Sequence, residues 1–308
     1  MSKKTKKEKI MTGVITFICL LLALILVTGA LNVMYLKHYK ENKPSFDISS
    51  VEQDKSICIM SSNVRTWNPL DVAKRSWFYR ADLLVKNIES EKPDIICFQE
   101  VTSMHYNYLT SSLKGYDNVI QYRDKSRFSE GCPVFFSTSR FELKDKGSFW
   151  LSETPEVMSK DWKSACYRIC SYVILTDKES KKDLVVFNTH LDHISDEARI
   201  NGIAVVLDKI KQFGGLPSII TGDFNAEEDS ETYKSAVENF LDAKYQLDNP
   251  VKGPTYQHFG KEPDRENIDY FMISKTGIKV EEYKIVDKTY DGVYPSDHFP
   301  IVMRFTME

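Results

Sequence analysis

Short apolar runs rich in β-branched and aromatic residues recur along the chain and predict β-strands. The runs are Ile57–Met60, Asp94–Phe98, Val134–Phe136, Tyr167–Leu175, Leu184–Asn188, Ser218–Thr221, Ile268–Ile273 and Pro300–Phe305. Helical periodicity predicts helices over Trp77–Glu89 and Ser195–Phe213. Strands alternate with helices in the first half and dominate the second, which favours stacked sheets flanked by helices over a purely parallel array.

The amino terminus has a different pattern, with an uncharged apolar run from Ile10 to Leu36. As a helix this run would span about 40 Å, against a hydrocarbon core of about 30 Å. It predicts a single transmembrane anchor. A cleaved signal peptide is the alternative, because small residues at 28–30 resemble a cleavage site. Five lysines precede the run and three follow it, which predicts an inside amino terminus and an extracellular domain on the cell membrane.

These patterns divide the chain into four expected segments. They are a basic cytoplasmic tail at 1–9, a transmembrane anchor at 10–36, a linker at 37–55 and one catalytic domain at 56–308. The last segment is long enough for one domain with a substantial core. We expect the anchor to bind the membrane, and the sequence gives no sign of an obligate protein partner.

Charge narrows the expected partners. Residues 1–45 hold eight Lys and two Glu, which leaves 33 basic and 42 acidic residues and a net charge of −9 for the rest. An acidic domain repels polyanions at long range, so broad electrostatic capture of nucleic acid is not expected. A nuclease stays possible, because bound metal ions reverse the local sign of charge.

Polar side chains end or interrupt six of the apolar runs. The stretches are "IMSSN" with Asn63, "IICFQE" with Glu100, "VFNTHLD" with His190 and Asp192, "IITGDFN" with Asp223 and Asn225, "NIDYF" with Asp269, and "YPSDHFP" with Asp297 and His298. One such ending is usually a solvated turn. Six of this composition predict that the strand ends converge on one rim, with hard oxygen ligands beside two histidines.

At this point the chain resembles the endonuclease/exonuclease/phosphatase superfamily of DNase I-like phosphoesterases, in its membrane-anchored or secreted bacterial form. The motifs "SSN", "FQE", "NTHLD", "TGDFN", "IDY" and "SDHFP" occur in the family's order over about 56–306. The resemblance implies a four-layer α/β sandwich, in which two mixed β-sheets pack face to face with helices outside.

The resemblance also implies roles for the residues. Glu100 would be the central ligand of Mg²⁺ or Mn²⁺, with Asn63 holding metal or phosphate and Asp297 completing the shell. Hard oxygen ligands suit these ions. The remaining catalytic residues would be His190 as a donor to phosphate or leaving group, Asp223 and Asn225 orienting the attacking water and a phosphate oxygen, and His298 with its tautomer fixed by Asp269.

For other residues a purely structural role is the alternative to a role in the site. Arg168 could be a buried structural guanidinium or a phosphate contact. Asp192 is expected to support His190, and His193 to lie at the rim. His105 is expected on a loop or helix surface.

The predicted function is metal-assisted, in-line hydrolysis of a phosphate mono- or diester. The substrate would be a small organic phosphate or a nucleic acid. Extracellular nuclease, phospholipid phosphodiesterase and a catalytically silent binding module on the same fold are the alternatives. The full set of acidic, amide and imidazole residues favours an enzyme over a silent module.

Overall fold

The computed structural model describes residues 5–262 and 267–308, apart from the side chains of Asn32 and Val33. The first four residues of the predicted basic tail lie outside the described residues. The helices are α1 Lys6–Glu41, α2 Trp77–Glu91, α3 Ser103–Ser112, α4 Asp196–Ile210 and α5 Glu231–Asn239. The strands are β1 Phe46–Asp47, β2 Ile57–Asn63, β3 Ile95–Gln99, β4 Leu113–Lys114, β5 Tyr116–Val119, β6 Val134–Ser137, β7 Phe141–Trp150, β8 Ile169–Asp177, β9 Asp183–His190, β10 Ser218–Asp223, β11 Leu241–Asp242, β12 Asp269–Ile273, β13 Ile278–Ile285 and β14 Ile301–Met307.

Two six-stranded mixed sheets form the centre of the molecule. The first sheet has the order β13-β14-β2-β3-β6-β5, and the second has the order β11-β12-β10-β9-β8-β7. In each sheet one central pair is parallel, β2 with β3 and β9 with β10, and its other neighbours are antiparallel. The fold is therefore the expected DNase I-like α/β sandwich.

Three hydrophobic layers hold the sandwich together. Between the sheets, Ile59 and Met303 of the first sheet share a core with Val186 of the second. The first sheet buries its outer face against α2 and α3, where Trp77 lies in the core. The second sheet is covered by α4 and α5. Alternate residues of one strand thus face two different cores, which explains why the central strands read as continuous apolar runs.

All eight predicted strands and both predicted helices are present. β7 and β13 were not predicted, because exposed charged residues interrupt them. The prediction that His105 lies on a loop or helix surface was wrong, since this side chain on α3 is fully buried. It shares a 2.7 Å hydrogen bond with Thr102 Oγ1, and its ring packs on Trp77. A histidine on a short helix gives no sequence signal of the aromatic partner that buries it.

The amino-terminal helix α1 contains an 18-residue window with a mean hydropathy of 2.9, and by length and composition it could cross a membrane. Part of the segment expected to be a linker is ordered. α1 continues to Glu41, and Phe46 and Ile48 are buried against the core under α2 and α3. The connection that is neither helix nor strand between α1 and β1 is therefore limited to residues 42–45.

Sheet topology brings the polar strand ends to one edge. β2 and β3 run parallel and place Asn63 opposite Gln99. In the second sheet, His190 and Asp269 both lie opposite Asp223, because β9 ends and β12 begins where β10 ends. The two edges meet, since the Gln99 side chain donates to Asn188 Oδ1 at 2.8 Å across the sheets.

Candidate active site

Asp223 lies at the centre of the polar cluster. Its Oδ2 atom accepts a hydrogen bond from Asn63 Nδ2 at 3.0 Å, and it lies 3.4 Å from His190 Nε2 and 3.5 Å from His298 Nε2. Asn63 comes from the first sheet and Asp223 from the second, so the site depends on both sheets. The structure thus brings together residues that are up to 235 positions apart.

The last residue before Asp223 has to be glycine. Gly222 has a φ of +136°, and a Cβ atom built on it would lie 1.9 Å from the carbonyl oxygen of Thr189 on the neighbouring strand. No side chain fits that space. The glycine of "TGDFN" therefore allows the close strand approach that aligns Asp223 with His190.

His298 sits between two carboxylates. Its Nδ1 atom lies 2.8 Å from Asp269 Oδ2, as the family resemblance implies, and its Nε2 atom faces Asp223. Burial alone would lower the pKa of His298, but the two carboxylates outweigh it and the pKa is raised. Burial, with Asp269 nearby, raises the pKa of Asp223. The pair therefore retains a proton near neutral pH.

Glu100 begins a second part of the site. Its carboxylate accepts 2.6 Å and 3.1 Å hydrogen bonds from the Thr66 amide and from Asn63 Nδ2. Burial would raise the pKa of Glu100, but these donors and Arg65 lower it, so Glu100 stays ionised. Asp297 lines the same cleft, and burial together with Glu100 raises its pKa.

Three residues of the site have left-handed backbone. The φ angles are +56° at Arg65, +63° at Glu100 and +49° at Asn225. Such angles cost energy in a residue with a Cβ atom and persist where the surroundings hold them, which is common at functional sites. Two hydrogen bonds hold Asn225: its backbone N–H group donates to Asp223 Oδ1, and its side-chain Nδ2 group donates to Leu191 O.

The cluster lines an open cleft of about 460 Å³. Glu100, Arg168, His190, Asp223, Asn225, Asp297 and His298 all contribute to its walls, whereas Asn63 and Asp269 lie behind them as hydrogen-bond partners. His193 lies at the exposed rim, as expected.

His190 and Asp192 do not form the expected pair. Asp192 accepts hydrogen bonds from Ser164, Ala165, Ile194 and Ser195, and so orders the loop that leads into α4. His190 instead faces Asp223, and burial, with Arg168 and Arg123 nearby, holds its pKa well below the ordinary value. His190 is therefore a neutral imidazole.

Several cleft residues were missed by sequence reasoning. Arg65 lies two residues after the "SSN" motif and 3.6 Å from Asp297, so its closeness to a motif was a usable signal. Arg123 and Glu130 form a 2.6 Å ion pair at the cleft wall. They come from a loop with no recognisable motif, so no comparable signal marks them in the sequence.

Two guanidinium groups in the cleft have spare hydrogen-bond donors. Among the residues that the structure describes, the buried Nε atoms of Arg123 and Arg168 have no hydrogen-bond partner. Both arginines line the cleft wall beside His190. Each Nε atom lies 3.8 Å from a carboxylate oxygen, of Asp124 and of Asp192, which is too long for a hydrogen bond. Buried donors without a hydrogen bond on two cations suit an anionic oxygen, and a guanidinium fits phosphate geometry well.

Carboxylates, imidazoles and arginines together are suited to phosphate chemistry. Asp223, Asp269 and His298 each bring one possible ligand atom within 4.8 Å of the others. In this trio His298 uses both ring nitrogens toward carboxylates, so it is better described as an ion-pair network. Glu100 and Asp297 offer hard carboxylate oxygens to the open cleft and fit a divalent cation of the Mg²⁺ type better.

Solved structures with the same fold include two bacterial proteins. An endonuclease/exonuclease/phosphatase from Bacteroides vulgatus is 30% identical, with a TM-score of 0.77 over 82% of this chain and 99% of its own. A mannosyl-6-phosphatase from Bacteroides thetaiotaomicron is 29% identical, with a TM-score of 0.75 over 82% of this chain and 100% of its own.

Curated relatives include eukaryotic proteins of greater length. The CCR4-Not complex 3'-5'-exoribonuclease subunit Ccr4 of Candida albicans is 24% identical over 88% of this chain, which spans 42% of that protein. Human Nocturnin is 26% identical over 77% of this chain and 60% of its own length. A sequence model described as the Endonuclease/Exonuclease/phosphatase family matches residues 66–298. The chain belongs to this family, whose members are hydrolases that act on phosphoester bonds.

Proposed function

We propose that this chain is a membrane-anchored phosphoesterase that uses Mg²⁺ or Mn²⁺ to hydrolyse a phosphate mono- or diester by in-line attack of water. One observation carries the proposal: buried carboxylates, the imidazoles of His190 and His298, and two arginines whose Nε–H groups make no hydrogen bond share one open cleft. Anionic substrate and divalent cation each find complementary groups there. A silent binding module would not need the complete set.

The metal would be held by Glu100 and Asp297, with Asn63 at its border. Bound there, a divalent ion would stabilise negative charge that develops on the phosphate. Asn63 Oδ1 accepts from the Arg65 amide at 2.9 Å, and its Nδ2 group faces Glu100 and Asp223. Asn63 would thus set the positions of two carboxylates, and direct ligation by its oxygen stays a prediction.

The chain's own residues would handle phosphate and protons. Asp223 would accept a proton from the attacking water, and Asn225 would orient that water or a phosphate oxygen. Arg168 would donate to a phosphate oxygen through its Nε–H group, which makes no hydrogen bond within the protein. His298, held by Asp269, and the neutral His190 would contact phosphate or the leaving oxygen.

The membrane part of the proposal rests on α1. Its apolar run is long enough to cross a bilayer, and the lysines before it favour an inside amino terminus. The catalytic domain would then lie outside the cell. A nuclease is the second candidate, because the similar Ccr4 proteins are exoribonucleases. The net charge of −9 after residue 45 disfavours long-range attraction of a polyanion.

A substrate panel tests the proposal. The full chain in detergent would be assayed on duplex DNA, RNA, a sugar phosphate and a chromogenic phosphodiester, with Mg²⁺, Mn²⁺ or a chelator. We expect metal-dependent hydrolysis of at least one ester, and its loss in Glu100→Gln. Calorimetry should also show weaker Mg²⁺ binding by Glu100→Gln, while exposed Glu142→Gln behaves as wild type. Hydrolysis that survives both chelation and Glu100→Gln would refute the metal site.

A further inference from the structure

The last turns of α1 are fixed to the catalytic domain. His38 stacks on Tyr79 of α2 at 4.7 Å between ring centroids, and its Nε2 atom lies 3.3 Å from Asp82. Tyr35 meets Tyr79 edge-on at 5.9 Å, and Tyr39 packs on Tyr108 of α3. Several aromatic contacts and one hydrogen bond between His38 and Asp82 therefore set the angle between the helix and the domain.

The loop after β2 lies alongside the apolar part of α1. We define loop A as residues 66–72. Trp67 and Val72 of loop A line a small crevice together with Thr28, Leu31 and Tyr35 of α1. At 1.5 Å per residue, Thr28 and Leu31 precede Leu36 by about 12 Å and about 8 Å along the helix. If α1 crosses a bilayer, loop A lies at the depth of the boundary between headgroups and acyl chains.

Loop A and a neighbouring loop expose apolar side chains at this level. We define loop B as residues 124–129. Leu70 of loop A is 81% exposed and Phe128 of loop B is 64% exposed, and the Phe128 ring stacks on Trp67 at 6.2 Å. Exposed basic residues lie close to them in the sequence. These are Lys74, Lys125 and Arg127, and the Arg127 guanidinium lies 5.9 Å from the centroid of the Phe128 ring. Exposed aromatic and aliphatic residues with basic neighbours are typical of a surface that inserts into a membrane interface.

Both loops arise from the walls of the cleft. Arg65 and Thr66 at the start of loop A, and Arg123 and Glu130 around loop B, all line the cleft. Arg65 also pairs with Asp71 of loop A at 3.0 Å. The fully buried Arg80 of α2 donates to the carbonyl oxygens of Val64 and Arg65. These bonds connect α2, on which α1 packs, to the same wall of the cleft.

We propose that loops A and B insert into the bilayer beside α1, so that the cleft opens at the membrane surface and takes phosphate esters carried by membrane lipids. This inference rests on the proposed phosphoesterase activity and on α1 crossing the membrane. In the reaction, water oxygen bonds to phosphorus and the phosphorus–oxygen bond to the leaving alcohol breaks. The leaving oxygen takes a proton, and no other reactant is needed.

Loop insertion is tested without any reaction. The full chain would be reconstituted into vesicles of phosphatidylcholine and phosphatidylglycerol at 3:1, with or without brominated acyl chains that quench tryptophan fluorescence. We expect the brominated lipid to quench tryptophan fluorescence in the wild type. Most of this quenching should be absent in Trp67→Phe, which retains Trp77, Trp150 and Trp162. Equal quenching in both proteins would overturn the proposal that the loops insert into the bilayer.

The substrate is tested with loop variants. Leu70→Glu and Phe128→Glu should each lower hydrolysis of vesicle lipid by about tenfold, because a charged side chain replaces an inserted apolar one. Both should hydrolyse a soluble chromogenic phosphodiester as the wild type does. The matched controls Leu70→Phe and Phe128→Leu should keep activity on lipid.

The outcomes separate this inference from the proposed function. Hydrolysis of the soluble ester without hydrolysis of vesicle lipid would overturn the lipid substrate and leave the phosphoesterase intact. If no phosphate ester is hydrolysed with Mg²⁺ or Mn²⁺, the proposed function fails and the lipid substrate fails with it. Insertion of the loops would still be decided by the quenching.

Discussion

Single side chains in this molecule act through their partners. Asp269 lies behind His298, and His298 faces Asp223, so three residues from β12, β10 and the loop before β14 form one chain of contacts. The sequence predicted the Asp269–His298 pair from the resemblance, and the structure has it at 2.8 Å. Asp223 as their shared neighbour was not predicted, because its place depends on strand register across the second sheet.

The Asp269–His298 pair should behave as one unit in catalysis. We expect Asp269→Asn and His298→Ala each to lower the rate by about 10²–10⁴-fold, since either change disturbs the same imidazole. The double variant should be little slower than the slower single variant. Turnover and thermal unfolding would be measured together on the full chain. Losses that multiply in the double variant, with folding retained, would mean separate roles.

His105 should make folding stability sensitive to acid. Burial, together with Arg80, holds its pKa well below the ordinary value, and Thr102 and Trp77 are its uncharged neighbours. Below about pH 6.5 the unfolded chain binds a proton at this position that the folded chain does not. The stabilising contribution of the uncharged His105 is therefore fully present above that pH. As the pH falls below it, the free energy of unfolding decreases by up to about 1.4 kcal/mol per pH unit.

Replacing the imidazole tests this sign. His105→Gln should lose less stability than the wild type between pH 7.5 and pH 5, whatever its stability at pH 7.5. Denaturant unfolding of the full chain at both pH values gives the difference. An equal or larger loss in His105→Gln would mean that His105 is protonated in the folded protein.

At the scale of elements, the buried strands could be predicted and the exposed ones could not. β2, β3, β10 and β12 are buried along their whole length, and β9 is buried after its first residue, so composition alone marks them. β7 carries a Lys-Asp-Lys run on its solvent side, and it pairs with residues of β8 that lie 19 to 36 positions further along the chain. The site could be predicted for the same reason as the buried strands, because its residues end them. Arg123 and Glu130 could be placed only from the path of the loop that carries them, whereas Arg65 had a signal in its closeness to the "SSN" motif.

The close contact between β10 and β9 at Gly222 should tolerate no side chain. Gly222→Ala would place Cβ against Thr189 O, so we expect a loss of more than about 3 kcal/mol in the free energy of unfolding and loss of activity. Gly214→Ala is the matched control. Gly214 also has a positive φ, +66°, but a Cβ there meets nothing within 4 Å, so the expected cost is about 1 kcal/mol. Similar unfolding midpoints for the two variants would contradict the close approach.

At the scale of the whole molecule, hydropathy predicts the anchor but not its attachment. The apolar run of α1 is evident in the sequence, whereas its contacts with Tyr79, Asp82 and Tyr108 join segments 40 or more positions apart. Aromatic and imidazole side chains make these contacts, and such residues look like ordinary flanking residues in a sequence. The docked helix leaves the short stretch 42–45 as the exposed connection before β1.

That connection gives a test of topology. With the amino terminus inside, protease added to intact cells should cleave the chain beyond Leu36 and release or digest the domain, because the domain would then lie on the outer side of the membrane. A tag at the carboxyl terminus would be followed by immunoblot, with a cytoplasmic protein as the control for intact cells. Protection of the tag until the cells are opened would reverse the orientation. Tagged domain in the medium before any protease is added would instead show a cleaved signal peptide, and the helix would then no longer hold the cleft at the membrane.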